Sequence, residues 1–85
     1  MISDDDWRLN GQEAYLTNAV LYFQRWATLD PGWDHDHCEF CLTEFSDRYP
    51  NCLTEGYTTS KLYRWICPDC FIEFKERFGW TVEQR

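Results

Sequence analysis

The sequence predicts a small α+β domain over residues 1–85: a short N-terminal helix and a strand, a knuckle, a β-hairpin and a final helix. Three observations predict it. Two matched Cys-x-x-Cys hooks, Cys38-Glu39-Phe40-Cys41 and Cys67-Pro68-Asp69-Cys70, are separated by the stretch from Leu42 to Ile66. The chain is 19% aromatic, which gives large buried areas per side chain in a chain too short for a big core. Its apolar residues alternate before the second hook and recur at helical spacing after it.

The hooks carry the strongest chemical signal. Two thiolates three positions apart on a tight turn converge on one cation, so two hooks supply the four tetrahedral thiolates that a structural Zn²⁺ takes. One zinc ion per chain, held by Cys38, Cys41, Cys67 and Cys70, is the expected cofactor. A disulfide framework or a redox pair competes with this reading. Against it stand the odd count of five cysteines, with Cys52 left over, and an N-terminus reading Met1-Ile2-Ser3-Asp4-Asp5-Asp6, without an apolar leader. The same features point to a cytoplasmic location.

In chain order, residues 1–6 read as a flexible acidic terminus, followed by the first apolar anchors, Trp7 and Leu9. Asn10 is placed to cap a short helix over Gly11–Leu16, with Glu13 three residues on as in a capping box. Ala19–Leu29 is rich in aromatic and β-branched residues and reads as a strand with two partly apolar faces, with a helix as the competing reading because Leu21, Arg25, Leu29 and Val20, Phe23, Ala27 also form helical rows. Asp30-Pro31-Gly32 is a turn, since Pro presets φ and Gly accepts positive φ. Leu42–Ser46 alternates as a short strand, and Asp47–Asn51 is a loop. Glu55-Gly56 is expected to supply a turn or bulge, and Lys61–Ile66 the incoming strand of a hairpin. The second hook opens the final helix, with Asp69 as N-cap and Gly79 as the C-terminal stop. Phe71, Phe74 and Phe78 make its apolar stripe, and Glu73 and Arg77 an i, i+4 pair on its wet face.

Between the turn and the first hook runs Trp33-Asp34-His35-Asp36-His37. The histidines are expected to support the knuckle by donating to cysteine sulfurs or backbone carbonyls, with Asp34 and Asp69 capping turns beside them. Other readings are a metal role, with His37 in place of a cysteine or a second divalent ion on His35, His37, Asp34 and Asp36, and a metal-dependent hydrolase in which a histidine activates water. Cys52 lacks a partner at hook spacing and reads as a small buried apolar residue.

A knuckle, a hairpin, and a second hook whose last cysteine lies in the first turn of a helix resemble the treble-clef zinc finger, with the zinc ribbon as neighbour. The phrases Trp33–Cys41, Glu55–Thr58 and Trp65–Phe71 also resemble small bacterial zinc-binding proteins of an uncharacterised family. That likeness covers residues 7–80 and implies a fold and a zinc site, but no activity.

Charge bears on function more directly. The chain carries net −7, and residues 30–55 alone hold −6, against +1 in residues 56–85. Such a surface disfavours tracking of phosphates and favours a basic partner. The expected function is a non-enzymatic protein-binding module, of inhibitor, immunity or adaptor type. Its contact residues would be Asp30, Trp33, Asp36, Glu39, Glu44, Asp47, Tyr49 and Glu55. The alternative is a nucleic-acid-binding finger using Lys61, Arg64, Lys75, Arg77 and Arg85.

Overall fold

The computed structural model describes residues 5–84. A one-turn helix α1 (Glu13–Leu16) precedes strand β1 (Val20–Arg25). Two short strands, β2 (Asp36–His37) and β3 (Glu44–Phe45), pair antiparallel around the first hook. Strands β4 (Glu55–Thr58) and β5 (Trp65–Ile66) form the hairpin, followed by helix α2 (Pro68–Phe78) and strand β6 (Thr81–Glu83). The main sheet has the order β5-β4-β1-β6, mixed because β1 and β6 run parallel.

The predicted α+β architecture and element order hold, with local corrections. Residues 1–4 lie outside the described residues, but Asp6 is fixed by Arg8, whose guanidinium donates to both its carboxylate oxygens at 2.9 Å. Leu9 packs against the core, whereas Trp7 is 71% exposed and anchors nothing there. Helix α1 starts later than expected. Its N-cap is Gln12 with no side-chain cap bond, so Asn10 is not the cap. Buried Gln12 instead donates to the Arg8 and Glu39 carbonyls, both at 2.8 Å, and accepts from the Asn10 amide. One glutamine thereby ties the N-terminal segment to the first hook.

Glycine chemistry explains two further positions. Gly56 lies inside β4 and not at a turn, which falls between β4 and β5. A Cβ there would meet the Phe45 ring at 2.6 Å and the Ile66 carbonyl at 3.0 Å, so glycine permits close packing of knuckle on sheet. Gly79 caps α2 at φ 68°, with its N–H on the Lys75 carbonyl, the left-handed ending that glycine adopts without steric cost. At the other end of α2 the N-cap is Cys67, not Asp69. Its sulfur accepts from the Cys70 amide, and Pro68 occupies the first turn, where a missing N–H costs nothing.

The core is an aromatic stack between α2 and the sheet. Phe71, Phe74 and Phe78 are all buried, as the stripe predicts. Phe40, from the middle of the first hook, stacks on Phe74 at 4.5 Å and meets Phe78 and Trp80 edge-on at 5.4 and 5.8 Å. Tyr57 of β4 stacks on Phe71 at 3.7 Å, and Phe45 of β3 lies 5.4 Å from Trp65. Aromatic pairs of this kind add about 0.5–1.5 kcal/mol each beyond area burial. Glu73 on the wet face of α2 pairs with Arg8 at 2.8 Å, a partner outside its helix. Strand β6 was not legible as an element; it pairs Val20 with Thr81 and Leu21 with Val82.

Candidate metal centre and adjoining cleft

The β2–β3 turn presents the first hook, and the start of α2 presents the second. Leu42 closes the first at φ 68°, with its amide on the Cys38 carbonyl. Cys38 bridges to Trp65 of β5, and the Glu39 amide bonds the Trp65 carbonyl at 2.9 Å. Knuckle and hairpin are thus stitched together beside the helix end.

The result is a single cluster. The sulfurs of Cys38, Cys41, Cys67 and Cys70 all lie within 4.8 Å of one another, and those of Cys41 and Cys67 are 3.6 Å apart. Thiolates bound tetrahedrally at about 2.3 Å from one ion sit about 3.8 Å apart. The four cysteines can therefore hold one metal ion, and Cys52 stays outside the group. Cys52 is part-exposed, its sulfur 3.7 Å from a Glu44 oxygen, and burial raises its thiol above the ordinary value.

Every sulfur of the cluster has a polar contact. Cys38 Sγ accepts from the amides of Phe40 and Cys67 at 3.5 and 3.4 Å, and Cys67 Sγ from the Cys70 amide at 3.4 Å. The Thr43 hydroxyl lies 3.0 Å from Cys41 Sγ. Arg8 Nη1 donates to Cys70 Sγ at 3.7 Å, while its guanidinium rests 4.7 Å from the centre of the Phe74 ring. Among themselves the thiols share protons unequally. Hydrogen bonds from Cys67 and Cys70 hold the Cys38 thiol far below the ordinary value, and bonding to Cys38 pushes the Cys67 and Cys70 thiols up. Four thiolates at this separation need a cation to offset their repulsion, and binding one releases the remaining protons.

The expected supporting residues lie elsewhere. His35 Nδ1 is 2.7 Å from an Asp34 oxygen, and His37 lies 3.8 Å from its cross-strand partner Glu44. Neither histidine donates to a sulfur: His35 is turned to its chain neighbour Asp34, and the β2–β3 pairing sets His37 beside Glu44. Asp69 is exposed in the first turn of α2. The residues that do reach sulfur, Arg8 and Thr43, escaped sequence reasoning. Thr43 had a signal in its place two residues after Cys41; Arg8 had none, being 62 positions from its sulfur. No second cluster of three or more metal-ligating groups occurs among the described residues.

Beside the centre opens a cleft of about 750 Å³, bounded in part by Asp30, Trp33, Asp36, Glu39 and Tyr63. Four of the eight expected contact residues meet there. Glu44, Asp47, Tyr49 and Glu55 do not line it, although the Tyr49 hydroxyl donates to Asp34, a residue of the cleft wall. Asp36 accepts from two indoles, Trp26 at 2.9 Å and Trp33 at 3.0 Å.

Comparison with protein-family models, curated proteins and solved structures finds no match to this chain. No helix among the described residues is long and apolar enough to cross a membrane.

Proposed function

We propose that this chain is a structural zinc domain of treble-clef type that works without catalysis, by docking on a basic surface of another protein. The supporting observation is the four-cysteine cluster in which each sulfur already has a polar neighbour. Four thiolates close a tetrahedral zinc, leaving no open position for water or substrate. The ion then acts as a staple, and function falls to the surface it holds in shape. That surface is acidic and bears exposed aromatics, as suits an inhibitor, immunity-type or adaptor protein, and the free thiols suit a reducing cytoplasm.

A nucleic-acid role draws less support. Arg64 is held by Glu39 at 3.1 Å and lies over the Tyr15 ring at 3.8 Å, Lys75 sits near Phe71, and Lys61 borders the acidic cleft. Arg85 lies outside the described residues.

Elemental analysis of protein purified under reducing conditions tests the staple. One zinc per chain is expected, unchanged by Cys52→Ser and lost with Cys38→Ser or Cys70→Ser. Chelation should unfold the domain, since zinc contributes on the order of 10 kcal/mol in small fingers. Protein without zinc, or a fold indifferent to chelator, would refute it. Capture of a partner from the native host, weakened by salt, tests the binding role.

A further inference from the structure

The cleft beside the metal centre combines size, apolar walls and a predominance of negative charge. Its volume of about 750 Å³ falls in the size range of ligand-binding clefts, though this one is open on one side. Leu29, Trp33 and Tyr63 line it while remaining 74%, 52% and 73% exposed, an apolar surface left largely open among the described residues. Four carboxylates, Asp30, Asp34, Asp36 and Glu39, face one ammonium, Lys61.

These carboxylates are not equivalent. Glu39 is paired with Arg64 and Asp34 with His35. The contacts of Asp36 are two neutral indole N–H groups, and that of Asp30 is the Gly32 amide at 2.9 Å. Among the described residues neither Asp30 nor Asp36 is paired with a cation. Asp36 also fixes the Trp33 ring, so that an oriented indole face stands beside two carboxylates that have no ion-pair partner among the described residues. A cation over tryptophan gains from the ring's electron-rich face, and gains more when carboxylates lie close by.

Resting on the protein-binding reading above, we infer that this cleft seats an extended partner segment carrying an arginine or lysine beside an apolar residue. The cation lies over Trp33 facing Asp30 and Asp36, and the apolar side chain packs on Leu29 and Tyr63. Charge complementarity selects this occupant: an acidic or purely apolar segment would bury Asp30 and Asp36 without a counter-charge.

The probe is a capped peptide of leucine, arginine and glycine, titrated into zinc-loaded, ¹⁵N-labelled protein, with a control peptide bearing glutamate for each arginine. Saturable shifts are expected at the Trp33 indole N–H and the Tyr63 amide, fading at high salt and absent with the glutamate peptide. Trp33→Ala, followed through Tyr63, should weaken binding about ten-fold, as should Asp30→Asn with Asp36→Asn. Glu76→Gln, on an exposed part of α2, should change nothing. Equal binding of both peptides, shifts confined to other surfaces, or no saturable shift would overturn the inference. So would self-association abolished by Trp33→Ala, which would give the cleft to a second copy. Should a host partner be captured whose binding ignores Trp33→Ala, the cleft assignment fails while the protein-binding reading stands.

Discussion

At the scale of single residues, Arg8 couples most features. It donates to Asp6, Glu73 and Cys70 Sγ, and its bond to Asp6 holds that carboxyl down at about 2. Side chains that contact a metal ligand typically influence affinity 10–100-fold. Arg8→Met, which keeps the apolar stem over Phe74, should therefore lower zinc affinity about ten-fold, measured by competition with a chelator. Glu73→Gln, which leaves the sulfur contact intact, should do less; equal effects would make Arg8 a helix clamp only. His35 offers a second test. The hydrogen bond to Asp34 raises its imidazole above the ordinary 6.5. A raised folded value contributes stability fully below the unfolded value and loses it as pH rises through the folded one. Asp34 is shifted oppositely, lowered first by the Tyr49 hydroxyl and then by His35, so its contribution is present above the unfolded carboxylate value and fades in acid. NMR titration should place the His35 midpoint above 6.5, and Asp34→Asn should bring it down.

At the scale of elements, Phe40 joins the knuckle to helix α2. It is 2% exposed and touches Phe74, Phe78 and Trp80, so truncation removes both its burial and its ring pairs. Phe40→Ala should cost about 3–5 kcal/mol and Phe40→Leu clearly less, measured by denaturant unfolding of the zinc-loaded form. Zinc stoichiometry should persist in the leucine variant. The sequence was most legible where local chemistry decides structure: hook spacing set the four cysteines, Gly79 the helix end, and the phenylalanine stripe its buried face. It was least legible where distant segments meet. Gly56 reads as a turn residue until the Phe45 ring is seen where a Cβ would stand, and nothing in the helix expected over Gly11–Leu16 announces that Gln12 meets the Glu39 carbonyl. Strand β6 takes its identity from a parallel neighbour some 60 positions away, and no local pattern in Thr81–Glu83 announces that pairing. Arg8 lacked a signal for the same reason. The supporting role expected of His35 and His37 came from their nearness to Cys38 in the chain, but Asp34 takes the first and the cross-strand Glu44 faces the second.

At the scale of the whole molecule, net −7, to which a zinc tetrathiolate would add −2, acts over distances that single contacts do not reach. Exposed charges steer an approaching partner within a Debye length, about 10 Å at 0.1 M salt, whereas desolvated contacts at the centre of an interface hold it. The acidic residues divide accordingly. Glu44 and Asp47 lie outside the cleft on an exposed part of the surface, and Trp33 lies within it. With a basic partner, Glu44→Lys plus Asp47→Lys should slow association several-fold at low salt and leave dissociation nearly unchanged, and the defect should vanish near 0.5 M salt, where screening is close to complete. Trp33→Ala should instead speed dissociation at every salt concentration, because a buried aromatic anchor acts after encounter. Stopped-flow kinetics across a salt series separates the two. Reversals that alter neither rate at low salt would mean that Glu44 and Asp47 serve solubility alone, and a Trp33→Ala variant that also leaves dissociation unchanged would send the search for the interface to the exposed face of α2 or the outer face of the sheet.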